Sequence, residues 1–348
     1  MRQILLIATG GTIASKESGQ RLAPAISSQE LLACVPQAAS YCQVDAVQLM
    51  NLDSTSIGPA HWLQISRCIQ EHYEQYDGFV VTHGTDTTAY TSAALSYLIQ
   101  NSPKPIVLTG AQRSISLADT DARKNLSDAI LYAADVSSHD VSLVFNGRVI
   151  LGTRARKERT RSYDAFSCVD YPDVAVIRDG KIIRYLEVRS YKKDDRPTFF
   201  HRLNPNILLL TLIPGMHGQI LDKLIDDYAA IIFQSFGVGG LPDGGEGEMA
   251  HSVGRWISAG KTILMMTQVP YEGSDMEIYQ VGQQVKKRYP MLETYNMTME
   301  AAVTKLMWIL GQTAQAHEIS HLFYQPVQHD LCSATRFLRN SDRIIEKK

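Results

Sequence analysis

No apolar run in the 348-residue chain approaches the ~18 residues that a membrane-spanning helix needs. A helical membrane protein is therefore not expected. The N-terminus, Met1 to Ile7, carries one basic residue and a short apolar stretch that meets Gly10 and Gly11 almost at once, too little for the apolar region of a secretory signal. Cysteine is scarce: Cys34, Cys42, Cys68, Cys168 and Cys332 are odd in number, widely scattered and free of any CxxC pair. That pattern argues against a disulfide framework and a zinc ribbon and fits free thiols in a reducing cytoplasm. A surplus of one charge is missing too. Lys plus Arg number 34 against Asp plus Glu 36, a formal net charge of -2, so no global field gathers nucleic acid or anionic lipid. Neither nucleic acid nor membrane is expected as a partner.

What is present is ordinary globular composition, 45% hydrophobic and 20% charged, in a chain long enough for about two domains. Short β-branched runs recur at Ile4–Ala8, Val44–Met50, Gly78–Val81, Ile106–Leu108, Val141–Phe145, Ile207–Leu212, Ala229–Phe233 and Thr262–Met266, each reading as a buried strand. Helical patterns lie between them, at Ser28–Cys34, His61–Tyr73, Thr88–Ile99 and Asp121–Ala134, then Gln219–Tyr228, Glu246–Ile257 and Thr298–Leu310. Alternating strand and helix predicts an α/β protein of two domains, the larger N-terminal one a mostly parallel sheet with helices on both faces. Charged residues crowd between Glu187 and Asn204 without apolar period. The expected division is 1–187 as the catalytic domain, 188–204 as linker and 205–348 as a smaller C-terminal α/β domain. Just before the linker, Asp179-Gly180 marks a type I′ hairpin turn.

Ligands of open parallel sheets bind beyond the carboxyl ends of the strands. Here those ends carry Thr9-Gly-Gly-Thr12, Asn51-Leu-Asp-Ser54, Thr82-His-Gly-Thr-Asp-Thr87 and Thr109-Gly-Ala-Gln112. A polar site rich in threonine is the expectation. Alone, Thr9-Gly10-Gly11-Thr12-Ile13 is better read as a strand-ending turn. The second segment, with Thr85 beside Asp86 where a helix opens, changes that reading, because free N–H groups at a helix start also favour a carbonyl or anion. Asp86 by itself reads as an N-cap. A hydroxyl attacks a carbonyl only if something takes its proton, and the candidate is Lys157, although the run Thr153 to Arg161 reads by composition as a solvated basic loop.

The two Gly-Thr segments resemble the two signatures of the bacterial L-asparaginase family. The similarity continues through Leu52-Asp53-Ser54, Lys157 with Tyr163-Asp164-Ala165-Phe166, Ser235-Phe236-Gly237-Val238-Gly239 and Met299-Glu300-Ala301-Ala302, and is closest to the cytoplasmic type I branch. The resemblance implies L-asparagine hydrolysis to L-aspartate and ammonia, with L-asparagine as the small-molecule substrate, glutamine a poorer one, and no cofactor or metal. It implies Thr12 as nucleophile and Thr85, Asp86 and Lys157 as a hydrogen-bonded triad, Lys157 handling protons on Thr85. Ser54 matches the contact to the substrate α-carboxylate and Asp86 that to the α-ammonium; Gly11, Asp53 and Gly84 line the same pocket. A homodimer or homotetramer is implied as well, the segment Pro270 to Asp275 reaching a neighbouring site through Glu272. For Lys157 to act as a base its pKa must fall, which Arg154 or Arg156 could bring about.

One departure concerns the loop after the first signature, where the family usually has a tyrosine and this chain has Leu22 near that place. Ser15, Ser18 or a neighbouring subunit would then activate Thr12, and a non-catalytic asparagine sensor on the same scaffold is an alternative. A second alternative is a zinc hydrolase, since His317-Glu318-Ile-Ser-His321 satisfies H-E-x-x-H. Gly260-Lys261-Thr262 and Gly237-Val-Gly-Gly-Leu-Pro242 fail as phosphate and dinucleotide motifs: Arg255 and Pro242 occupy positions that require glycine. A related amidotransferase subunit that supplies ammonia to tRNA-bound glutamate shares the threonine site but carries an extra N-terminal domain, and free amino-acid hydrolysis is the preferred reading.

Overall fold

The computed structural model describes residues 1–18, 21–24, 26–186, 191–192, 194–242 and 247–332, with 16–18 and 21–24 described as backbone only. They form two compact units, Met1–His201 and the residues from Arg202 onward. Residues 188–190 and 193 of the expected linker lie outside the described residues, as do the side chains of Ser18 and Leu22. Thr198–Phe199 pairs antiparallel with Ile99–Gln100 and so belongs to the first unit.

The first unit is built on an eight-stranded sheet. Its strands are β1 (Gln3–Gly10), β2 (Gln43–Leu52), β3 (Gly78–Thr82), β4 (Ile106–Thr109), β5 (Val141–Phe145) and β6 (Arg148–Leu151). Two short strands, β7 (Ala155–Lys157) and β8 (Phe166–Cys168), pair with each other outside the sheet. The edge hairpin is β9 (Ala175–Arg178) and β10 (Lys181–Arg184). The spatial order is β10-β9-β6-β5-β4-β3-β1-β2, in which β2, β1, β3, β4 and β5 run parallel and the remainder is added antiparallel. Parallel strands are covered on both faces, hence the unbroken burial of β3, β4 and β5. At the turn between β9 and β10, Asp179 and Gly180 have φ of 51° and 68°, the left-handed pair that a type I′ turn uses.

The covering helices are α1 (Ser28–Ala33), α2 (Pro59–His72), α3 (Thr88–Leu98) and α4 (Ala122–Ala134). Leu126, Ala129, Ile130 and Ala133 of α4 join Ile4, Leu6, Val80 and Val107 in one core. Helix α3 is buried along almost its whole circumference, which a surface helix would not be. The order 2-1-3-4-5 places the crevice of a doubly wound sheet between β1 and β3, where successive connections leave in opposite directions.

The second unit holds a four-stranded parallel sheet of β11 (Ile207–Thr211), β12 (Ala230–Ser235), β13 (Thr262–Thr267) and β14 (Leu292–Glu293). Around it lie α5 (Gln219–Leu224), α6 (Glu248–Ser258), α7 (Gln280–Arg288), α8 (Met299–Gln312) and α9 (Ala316–Tyr324). Phe233, Met249, Val253, Trp256 and Met265 form its own core.

Candidate active site

The carboxyl ends of β2, β1, β3 and β4 are neighbours in the sheet, so the four polar segments that follow them converge. Gly10 and Gly11 turn the chain off β1 with φ of 103° and 79°, conformations open to glycine and costly for other residues. The Gly11 N–H donates to the Leu52 carbonyl at 2.9 Å, which ties the first motif to the end of β2. On the other side Gly11 meets the second motif: a Cβ there would lie 2.3 Å from the Gly84 nitrogen and 2.4 Å from its Cα. A Cβ on Gly84 would in turn lie 2.7 Å from Ser54 Oγ. Gly11, Gly84 and Ser54 are therefore stacked in direct contact, and Thr12 follows, half-buried, in a single 3₁₀ turn Thr12–Ala14.

Lys157 reaches this cluster from β7. Its Nζ donates to Thr85 Oγ1 at 2.8 Å and to Asp86 Oδ1 at 2.6 Å. The lysine side chain is 15% exposed and the Asp86 side chain 59%, so the pair opens to solvent on the carboxylate side. Asp86 is not the cap of α3. The N-cap is Thr87, whose hydroxyl donates instead to the Ser54 carbonyl at 2.7 Å, leaving the Asp86 carboxylate to Lys157. The basic run around Lys157 also divides by face. Strand alternation sends Arg156 away from Lys157, while Arg154 is fully buried, with its guanidinium over the Tyr171 ring at 5.6 Å.

Asp53 spends its carboxylate on Thr55, accepting from its N–H at 2.9 Å and its hydroxyl at 2.6 Å. Those bonds, the hydroxyl first, hold the carboxyl below its usual range. Ser15 donates to the Gly11 carbonyl at 3.0 Å. Glu272 lies in the second unit, on the loop after β13, with φ of 72°.

Several residues that hold the site were given no role by the sequence. His83 is fully buried, and burial pushes its imidazole down to about 4 against one opposing bond to Gly84. It is neutral with its proton on Nδ1: Nδ1 donates to the Gly84 carbonyl at 2.8 Å, and Nε2 accepts from Thr91 Oγ1 at 2.9 Å, itself an acceptor of Trp62 Nε1–H at 3.0 Å. Asp121 receives the N–H groups of Gln112 and Arg113 at 2.9 and 3.1 Å, and Asn125 Nδ2 holds the Gly110 carbonyl at 3.0 Å. The signal for these in the sequence was a polar residue at an apolar position of a helix or strand end, which does not name its partner.

The H-E-x-x-H segment falls on α9. His317 and His321 line a shallow pocket with Gln312, Thr313 and Leu322, but Glu318 accepts the Thr313 hydroxyl. Among the described residues no three His, Cys, Asp or Glu side chains are grouped to hold a metal ion.

Comparison with known proteins gives two family matches: residues 3–189 to the model of the asparaginase N-terminal domain, and residues 206–323 to that of the glutaminase/asparaginase C-terminal domain. An L-asparaginase of Thermococcus kodakarensis is 33% identical over 332 residues, covering 94% of this chain and 99% of its own. A glutamyl-tRNA(Gln) amidotransferase subunit of Pyrococcus abyssi is 31% identical, covering 96% of this chain and 78% of that protein. The crystal structure of L-asparaginase I from Vibrio cholerae superposes with a TM-score of 0.84 at 28% identity, over 95% of this chain and 99% of the other.

Proposed function

This chain belongs to the asparaginase family, and from that premise we propose that it hydrolyses the side-chain amide of L-asparagine, giving L-aspartate and ammonia. The observation that carries the reading is Lys157 Nζ within hydrogen-bond distance of both Thr85 and Asp86, beside the interlocked Gly11 and Gly84. Thr12 attacks the amide carbon: its oxygen bonds to carbon, its proton leaves through Thr85 and Lys157 to the amide nitrogen, and the carbon–nitrogen bond breaks to release ammonia. Water then splits the threonyl ester and returns a proton to Thr12. Ser54 takes the α-carboxylate and Asp86 the α-ammonium, while Gly11 and Gly84 contribute room, since the Gly11 N–H is committed to Leu52. Asp53, with its carboxylate engaged by Thr55, supports the turn that presents Ser54.

The protein works as a homodimer or homotetramer in the cytoplasm, each site completed by Glu272 of a neighbouring subunit. Five cysteines without a disulfide support that compartment. No described helix is long and apolar enough to cross a membrane. Because the Pyrococcus amidotransferase protein is similar over nearly the whole of this chain, glutamine is the informative competitor and is expected to turn over more slowly than asparagine.

Ammonia release from asparagine by the purified protein, persisting in EDTA, tests the reading and separates it from an asparagine sensor and from a zinc hydrolase. Lys157→Met should lower kcat by ~10²- to 10⁴-fold, the usual loss of a proton-transfer group. Arg161→Met, exposed on the following loop, should leave it unchanged. Equal rates in the two variants would refute the assignment of Lys157.

A further inference from the structure

Gln112 closes the loop after β4, and its main chain is fixed by the bonds from its own N–H and that of Arg113 to the Asp121 carboxylate. From this anchored backbone the side-chain amide reaches in two directions. Its Nε2 donates to the carbonyls of Ser162 at 3.0 Å and Arg159 at 3.3 Å, both on the turn that joins β7 to β8 and begins one residue after Lys157. Its Oε1 accepts from Thr85 Oγ1 at 3.3 Å.

The two carbonyls decide which way the amide faces. Carbonyl oxygens only accept, so a flipped amide would set three acceptors against one another and leave its donors toward Thr85. With the amide so fixed, the hydroxyl is fixed as well. Thr85 donates to Gln112 and turns its lone pairs toward Lys157 Nζ, 2.8 Å away. With its own proton held by Gln112, Thr85 keeps its lone pairs for Lys157 and for the proton arriving from Thr12; the 3.3 Å bond is given up when the Thr85 proton moves on to Lys157.

We propose that Gln112 is a positioning residue for the hydrolysis: it holds the Thr85 hydroxyl in one orientation and ties down the turn next to Lys157, so that the proton relay is assembled before substrate arrives. This rests on Thr85 and Lys157 acting as described above. Orientation fixed in advance lowers the barrier without strengthening ground-state binding, so the effect belongs in kcat and not in KM.

Two variants test it. Gln112→Met keeps the length of the side chain and removes both sets of bonds; kcat for asparagine should fall about tenfold, the scale of one lost hydrogen bond, with KM within about twofold and an unchanged melting temperature. Gln112→Glu keeps an acceptor for Thr85 but opposes a carboxylate to two carbonyls, an opposition relieved on protonation. Its kcat relative to the unmodified enzyme should therefore rise as pH falls from about 8 to about 5.5, which a filler of space would not produce. Unchanged kcat in Gln112→Met, a loss confined to KM, or a pH-independent ratio in Gln112→Glu would each overturn the proposal. Lys157→Met assayed alongside separates the two levels: if it stays active, the relay itself is wrong; if it is inactive while both Gln112 variants are normal, only the role of Gln112 falls.

Discussion

At Gly11 one methyl group decides whether the site can form. The position has φ of 79°, and a Cβ would lie 2.3 Å from the Gly84 nitrogen, a backbone atom that cannot swing aside. Gly180, in the β9–β10 turn, has a similar φ of 68° with nothing within 4 Å of a Cβ. The pair separates backbone strain from steric collision. Gly180→Ala should cost about 1 to 2 kcal/mol, the left-handed penalty alone, and leave kcat intact. Gly11→Ala should carry that penalty and also force β1 and β3 apart at the crevice, so asparagine turnover should fall by at least about a hundredfold, as misplacements near 1 Å do. Equal thermal stability and equal turnover in the two would mean that the contact between the motifs is not tight. The same scale shows what the sequence could and could not tell. Gly11 and Thr12 were legible because a turn off a strand has a local signature. The partners of Lys157 came only from the family resemblance and not from local pattern, since Thr85 and Asp86 lie 72 and 71 residues away and the surrounding arginines suggest a solvated loop.

Among elements, the strand from Gly78 to Thr82 and the helix that follows it carry the greatest burden. His83 joins them, bonded to Gly84 on one side and Thr91 of α3 on the other. Its imidazole is pushed down to about 4 from 6.5 by burial, so between those values the unfolded chain binds a proton that the native one does not. Stability therefore falls as pH drops below about 6.5 and levels off near 4, by at most about 3 kcal/mol at 1.36 kcal/mol per unit. Urea midpoints at pH 7.5 and 5 should show this loss in the unmodified protein and a smaller one in His83→Gln. An identical loss in both would assign the acid sensitivity to other groups. Elements with a clear apolar period were the readable ones. The central strands and α2, α3 and α4 sit within a few residues of their expected places. The polar α7, which buries only Gly282 and Val285, offered no period to read. Strands β7 and β8 are three residues each and owe their form to pairing with one another, which local pattern does not reveal. The helix expected to run to Tyr228 stops at Leu224.

For the whole molecule, the proposed oligomer turns on whether Glu272 of the second unit reaches the site of a neighbouring copy. Glu272 is a non-glycine residue at φ 72°, a conformation that proteins tend to retain at working sites. On the same unit, exposed apolar side chains follow the carboxyl ends of the parallel strands β11, β12 and β13: Ile213, Phe236, Val269 and Tyr271. Exposed apolar side chains at one end of a sheet suit a surface that another protein covers, and a second copy of this chain is the occupant that the proposed oligomer supplies. If Glu272 completes the site of its neighbour, the defects of Thr12→Ala and Glu272→Ala lie in different chains of one site. Each variant alone should be inactive. Mixed and allowed to exchange subunits, they should recover about a quarter of the unmodified rate, the statistical share for a two-fold dimer in which half the molecules are hybrid and each hybrid has one intact site. Light scattering on the same samples should give a dimer or tetramer. Full activity of Glu272→Ala alone would remove Glu272 from the reaction. Failure of the mixture to gain activity, with exchange demonstrated by labelled subunits, would mean that Glu272 serves its own chain or none.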